Sequence, residues 1–424
     1  MPIRISAGLS AAGRQLRGRF DSIGNKRELG SFIRHYVSFY IIYGVFGSYL
    51  STYYSIAGIS KSQIGLLMAI GPLTSLLIQP VWGILSDKSN NKVRILRIIA
   101  AGGTLTVFLY FIPSGFIGFA LVSVAFMSFH TAMMPLSDAY AVNYLTRNGQ
   151  KFSFIRLCGS TAYTLSAFLS GFVLDNDNLR IIFPFTAVMY VVGMLNMGTL
   201  PRMPLERSVD RKPFRDVIRN RKLILILVFV FFMQLPLCFN GSFMGVYIKD
   251  LGFSDRIRGT IFSLVALSEI PVLLVIDRVI RRFPVMGILV FSGSLMVVRV
   301  MIYAFLPTPG FILLGQLLNG MTFMPVTYSA ITYINNEMPA EYKTTGQSLL
   351  ALVQQGAGNI LGSVLGGVMS SRIGIGNTYA VFGAMLAVVT AIFVIILIRG
   401  EKPLYRSGHP DIRSSGSGER RRSG

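Results

Sequence analysis

Apolar residues run along this chain in stretches of about 20, separated by short polar turns, without the two-residue alternation of half-buried strands. Such a stretch, rising about 1.5 Å per residue as a helix, crosses a hydrocarbon core of about 30 Å. Twelve spans are expected, over 35–56, 62–85, 95–112, 116–141, 153–174, 181–200, 223–248, 258–276, 285–305, 311–334, 346–370 and 378–398. Pro72, Pro135, Pro236, Pro271 and Pro325 fall inside them. In water a mid-helix proline argues against a helix, but in a bundle neighbouring helices satisfy the freed backbone groups, so these positions predict bent helices around a cavity.

Composition agrees with an all-α integral membrane protein: 52% of the 424 residues are hydrophobic and 14% charged, against roughly 25% charged in soluble domains. The net charge of +22 would suggest a nucleic-acid partner in a soluble chain. Here its distribution says otherwise. Of the 40 basic residues, 33 fall on the N-terminal side of the membrane, six on the opposite side, and Arg299 inside a span. Cytoplasmic loops carry such an excess, so both termini are expected in the cytoplasm, in a cell membrane, and no nucleic-acid partner is implied. The segment with Arg14, Arg17 and Arg19 lacks a signal-peptide core and reads as a basic arm. Two cysteines in apolar surroundings, three histidines and one tryptophan leave no material for a disulfide framework, a metal centre or a His-based catalytic array. No enzyme activity and no cofactor are expected, and no phosphate-binding loop for ATP-driven transport is found.

The longest polar connection divides the spans six and six. The expected organisation is a basic arm (1–34), a six-helix bundle (35–200), a central loop (201–222), a second six-helix bundle (223–398) and a basic tail (399–424). The halves repeat one another. Gly58, Ser60 and Gly65, before the second span, recur as Gly252, Ser254 and Gly259, before the eighth; Met134-Pro135 recurs as Met324-Pro325, and Asp87-Lys88 as Asp277-Arg278. Two parallel six-helix halves with a site between them near the midplane is a transporter architecture.

A charged side chain at membrane depth costs about 2.5–3.5 kcal/mol on insertion scales, so each needs a partner or a cavity. Asp138 follows Pro135 in the fourth span, and Arg156 sits near the start of the fifth, where adjacent antiparallel helices could pair them. Glu269 lies in the eighth span and Arg299 in the ninth. The four charges balance, which favours a hydroxyl-rich or anionic ligand over a bare cation. Asn240, Gln234, Gln316, Asn319, Gln354 and Gln355 either line a polar cavity or bond helix to helix. For His130 a neutral ring hydrogen-bonded between helices is the expected role, with a protonatable switch as the alternative. Gly358, Gly362 and Gly366 recur every fourth residue, allowing close packing and sliding of one half over the other.

The turn Gly83-Ile-Leu-Ser-Asp87-Lys88-Ser-Asn-Asn-Lys92-Val-Arg94 resembles the signature of the major facilitator superfamily. Positive-side topology accounts for Lys88, Lys92 and Arg94 but not for Gly83 and Asp87. Gly83 would allow close helix contact. Asp87 could accept from a neighbouring helix N-terminus and pair with Lys92 or Arg94, a latch that holds in one state and releases in another.

Phe154-Ile155-Arg156-Leu157-Cys158-Gly159-Ser160 resembles the fifth-helix segment of the lactose permease branch, where an arginine binds sugar and an acid one helix earlier pairs with it, as Asp138 would here. The stretch around Arg299, the position of Glu269 and Thr345-Gly346-Gln347-Ser348-Leu349 extend the resemblance over most of 35–398. It implies a monomeric symporter of sugars, oligosaccharides, nucleosides or aromatic acids, with protons as partner. Asp138, Arg156, Tyr163, Asn240, Glu269, Arg299, Gln316 and Asn319 would bind solute, Tyr163 by stacking, and Glu269 paired with Arg299 would couple the proton. The departure is in the tenth span, where Asn319 stands near the family's histidine and no acid follows. A drug or metabolite exporter and a uniporter of the same fold are the alternatives, with a non-transporting receptor behind them.

Overall fold

The computed structural model describes residues 28–400 apart from 90, 114, 149, 151, 176 and 202–219. Most of the basic arm, the central loop and the tail lie outside the described residues. Among those described, the chain forms twelve helical rods in succession. They are α1 (28–56), α2 (Lys61–Lys88), α3 (Lys92–Phe111), α4 (Phe116–Arg147), α5 (Phe152–Val173) and α6 (Leu179–Thr199), then α7 (Arg221–Asp250), α8 (Asp255–Arg282), α9 (Val285–Phe305), α10 (Pro309–Glu337), α11 (340–373) and α12 (Ile375–Gly400). Ten of them, all but α1 and α5, are long and apolar enough to cross a membrane by a length-and-composition measure. Several outrun their apolar stretches, as α2 does to Lys88 and α4 to Arg147, because the backbone ladder continues past the hydrocarbon into the polar turn.

The prolines lie inside helices as expected, with Pro80 a further one in α2. Three irregularities were not legible in the sequence. A wide π turn occupies Tyr43–Gly47 of α1 and another Leu352–Gly358 of α11, and α10 is interrupted at Leu318. Such breaks at membrane depth are tolerated where protein or a water-filled cavity, rather than lipid, faces the freed groups.

The internal repeat is structural. Gly58 and Gly252 both take positive φ, 81° and 72°, a conformation open to glycine at little steric cost. Ser60 and Ser254 then stand at the N-cap positions of α2 and α8 with nearly identical backbone angles, φ −65° ψ 154° and φ −66° ψ 154°, the Ser60 side chain accepting from Gln63 N. The third member of each motif, Gly65 or Gly259, lies one turn further on, where α2 and α8 each cross a helix of the opposite half.

Helices α1–α6 pack among themselves, α7–α12 likewise, and the groups meet along two seams, α2 on α11 and α5 on α8, with α1 also touching α7. A side chain at Gly65 would strike the Ser363 carbonyl and Gly367, and one at Gly259 would strike Gly171 at 2.7 Å. Both crossings lie at the end away from Leu200 and Arg221. Lys61 and Asp250 join α2 to α7 there at 2.6 Å, and the fully buried Arg258 pairs with Asp255 and covers the Tyr49 ring of α1 at 5.5 Å. The halves are thus in close contact at the end opposite the central connection.

Gly358, Gly362 and Gly366 do pack closely, but on Gln234, Leu235 and Phe239 of α7, inside one half. The glycines of α11 that meet the other half are Gly356 and Gly367, so the expected sliding of the halves on the four-residue row is corrected. Leu77, Leu105, Ile117, Leu274 and Ile398 are exposed, as expected where lipid is the solvent.

Candidate functional site

In the N-terminal half, α1, α4 and α5 bring an ion pair into the interior. Arg156 Nη1 lies 2.9 Å from Asp138 Oδ2, with side chains 49% and 32% exposed. Partial exposure leaves donors of the guanidinium available to a solute. Tyr36 donates its hydroxyl to Asp138 Oδ1 at 2.6 Å, and the Arg156 guanidinium lies 5.5 Å from the centre of the Tyr40 ring, which stacks on Tyr36. Only a short connection separates Arg147 at the end of α4 from Phe152 at the start of α5, which is why residues 18 apart in sequence meet. Sequence reasoning found the pair and missed both tyrosines; their four-residue spacing on one face of α1 was the available signal.

In the C-terminal half the expected direct pair of Glu269 and Arg299 is replaced by a bridge. Asn319 Nδ2 donates to Glu269 Oε1 at 3.2 Å, and Asn319 Oδ1 accepts from Arg299 Nη1 at 2.9 Å. The break at Leu318 puts Asn319 at the head of the second segment of α10, one turn from Gln316 and Thr322, which also accept from Arg299, at 2.8 and 3.2 Å. Arg299 Nε donates to the Tyr303 hydroxyl at 2.9 Å. Gln316 donates onward to Asn240, which also accepts from Tyr379. Arg299 and Gln316 are fully buried, and Asn240 and Asn319 nearly so. In this state they bond helix to helix, and the solute contact expected of Arg299, Gln316 and Asn240 is not made available. Thr322 and Tyr303 are members of the network that the sequence reading did not include. Arg299 is held by neutral acceptors, and the acid joined to its network is Glu269, one amide away.

Glu269 also joins the halves. It sits on α8, which packs along α5, the helix of Arg156 and Tyr163. Asp138, Arg156 and Tyr163 are carried on α4 and α5 and Glu269 on α8, which packs on α5, with no net formal charge among Asp138, Arg156, Glu269 and Arg299. Among the described residues no group of three or more His, Cys, Asp or Glu could hold a metal. His130 makes the expected hydrogen bond between helices: its Nδ1 meets the Tyr190 hydroxyl at 2.7 Å between α4 and α6, and its ring stacks on Phe126. Both cysteines are free thiols. An apolar cavity of about 450 Å³, lined by Val272, Val275, Phe283, Phe291 and Met321, lies between α8, α9 and α10.

The signature turn is not engaged as expected. Gly83 has open space where close helix contact was expected, and Asp87 is 64% exposed, its pairing with Lys92 loose at 3.8 Å. Asn91, rather than Asp87, caps α3 by accepting from Arg94 N. The physical reason is position: the turn lies at the end opposite the glycine crossings, where Gly83 has no close neighbour.

The chain matches the model of the MFS_1 like family over residues 31–381. It is 25% identical over 370 residues to a maltose permease of Geobacillus stearothermophilus, covering 86% of this chain and 94% of that protein. It is 24% identical over 351 residues to a probable 3-phenylpropionic acid transporter of Escherichia coli, covering 80% and 91%. The crystal structure of the nucleoside transporter NupG superimposes with a TM-score of 0.75 at 18% identity, covering 88% of this chain and 99% of that one, a likeness of fold. A match of this extent, on a bundle of apolar helices with its charges gathered inside, makes the chain a member of the MFS_1 like family and a multi-pass membrane transporter of the major facilitator superfamily.

Proposed function

We propose that the protein is a secondary transporter that moves a small polar organic solute across a cell membrane by alternating access between two six-helix halves, as a monomer with twelve spans and both termini in the cytoplasm. The observation that carries this reading is the placement of the quartet on the helices that join the halves: Arg156, partly exposed and oriented by Asp138 and Tyr36, stands on α5, which packs along α8, the helix of Glu269, and Asn319 ties Glu269 to the buried Arg299. Its groups belong to both halves, so a solute bridging them favours one relative placement of the halves over another, which is the differential binding that alternating access requires. Relatives named as maltose permease, nucleoside transporter and phenylpropionic acid transporter indicate the size and polarity of the cargo.

Close glycine crossings at one end and a disengaged signature turn at the other correspond to a state open on the side of the termini. Asp87 with Lys92 and Arg94 would engage when that side closes. Glu269, the carboxyl group of the quartet on the C-terminal half, is the proton-coupling residue of the proposed symport, and bound solute would change the charges around it. One observation favours a second reading, uniport, since the bridging Asn319 cannot itself carry the proton.

The test is uptake into proteoliposomes of a panel containing maltose, uridine and 3-phenylpropionate, by the wild type and Arg156→Gln. Uptake of at least one solute by the wild type, lost in Arg156→Gln, is expected. Uptake unaffected by the substitution would overturn the assignment of the site.

A further inference from the structure

Helices α8 and α10 cross tightly midway along α8, where a side chain at Gly320 would strike the Ser268 carbonyl. Beyond that crossing, toward Arg282, they do not fill the space between them. The apolar cavity of about 450 Å³ lies there, lined by Val272, Val275 and Val279 of α8, Gly287 of α9, and Met321 and Pro325 of α10. Phe283 and Phe291, also in its lining, are 54% and 55% exposed, so the cavity opens outward, where lipid is the solvent.

Its dimensions select the occupant. Val272 to Phe283 is a rise of about 16 Å along α8, and half of a hydrocarbon core of about 30 Å is about 15 Å. The cavity therefore runs the depth of one leaflet, from the middle of the membrane to its surface on the side of the termini. About 450 Å³ spread over that length corresponds to a width of about 6 Å. A helix of another protein, about 10 Å across, is too wide for it. A single hydrocarbon chain is not.

Charge at the mouth narrows the choice further. Helix α8 ends in Asp277-Arg278-Val-Ile-Arg281-Arg282. Arg278 and Arg282 stand three residues beyond Val275 and Val279, at the edge of the stripe that lines the cavity, while Asp277 and Arg281 fall on the opposite side of the helix. The Arg282 guanidinium lies 6.0 Å from the centre of the Phe283 ring. Arg278 and Arg282 are exposed, and neither makes an ion pair among the described residues. This segment repeats the signature turn, but Leu273 stands where the first copy has Gly83, so the second copy is not built for close helix contact. Positive-side topology accounts for the sign of these charges and not for their place beside a cavity one leaflet deep.

We propose that the cleft between α8, α9 and α10 binds one anionic phospholipid of the leaflet on the side of the termini: an acyl chain fills the cavity, and Arg278 and Arg282 hold the headgroup. A zwitterionic lipid brings the same chain without the net charge, so the site selects by headgroup. The inference goes beyond the transport reading and does not depend on which solute is carried.

The experiment places the photoreactive residue benzoylphenylalanine at Phe291, on the rim, and reconstitutes the full chain in vesicles of equal parts phosphatidylglycerol and phosphatidylcholine. After irradiation, mass spectrometry identifies what is attached at that position. Phosphatidylglycerol adducts should exceed phosphatidylcholine adducts on the order of tenfold, the scale of two arginines beside an anionic headgroup. The combined substitutions Arg278→Gln and Arg282→Gln should bring the two yields together with their sum unchanged, which also reports an intact cavity. Val275→Trp, which fills the cavity, should abolish the preference as well. Equal yields in the otherwise unsubstituted protein would mean ordinary surrounding lipid and overturn the site. A preference that survives either set of substitutions overturns it too, and adducts to a second copy of the chain would make the cleft a subunit interface instead.

Discussion

Glu269 and Arg299 do not touch: Asn319 lies between them, donating to the carboxylate at 3.2 Å and accepting from the guanidinium at 2.9 Å. The acid is thereby held at the junction of the halves while the base is withdrawn into the protein. We predict that Asn319→Leu, which removes both bonds, destabilises the protein by about 1–3 kcal/mol, the cost of leaving buried polar partners unpaired. It should also lower transport more than tenfold. Thermal unfolding in detergent and uptake rates check both, and a variant as stable and active as the wild type would mean the bridge is incidental.

The pair of Asp138 and Arg156 makes a different prediction, because the pair is partly exposed and therefore contributes little to folding. Arg156→Lys keeps the charge but loses the planar fork that can hold Asp138 and a solute together. It should fold normally and weaken solute binding at least tenfold, read by equilibrium binding to the purified protein. Undiminished affinity would place the solute elsewhere.

Gly259 and Gly171 approach so closely that a methyl group at Gly259 would lie 2.7 Å from the Gly171 Cα. Gly259→Val should wedge the closed end apart and shift the population toward a state open there. Alkylation of a cysteine introduced near Gly252 measures this directly, and a severalfold faster reaction is expected in the variant. Equal rates would show that the crossing is not part of a moving closure.

The exposed Asp87, with Gly83 in open space, leads to a prediction for the opposite end. If these residues engage only when the side of the termini closes, Asp87→Asn should reduce kcat about tenfold, leaving equilibrium solute affinity within twofold of the wild type, since only conversion between states is affected. A change in affinity with normal kcat would contradict the latch.

Much of this arrangement was legible in the sequence because lipid imposes strict patterns: apolar length gave the helices, and an expensive charge inside a span pointed to Asp138, Arg156, Glu269 and Arg299. The repeat of Gly58, Ser60 and Gly65 located the turn, the cap and the crossing glycine of each half. What the sequence did not reveal depends on packing between distant helices. Nothing in the spacing of Glu269 and Arg299 shows that an amide from α10 separates them, because the break at Leu318 has no proline or glycine at the break itself. Tyr36 and Tyr40 look like ordinary apolar-span aromatics until Asp138 and Arg156 are seen beside them. In the proposed mechanism, whether Gly83 touches a neighbour depends on which end of the molecule is closed, and the open space around it here could not be read from the chain.

Accumulation against a concentration gradient is the most direct test of the central claim, that solute and proton share the junction around Glu269. Proteoliposomes with an imposed pH gradient should accumulate a solute that the wild type carries, while Glu269→Gln should fail to accumulate it yet still exchange it down its own gradient. Equilibration without accumulation in both proteins would contradict proton coupling and make the protein a uniporter.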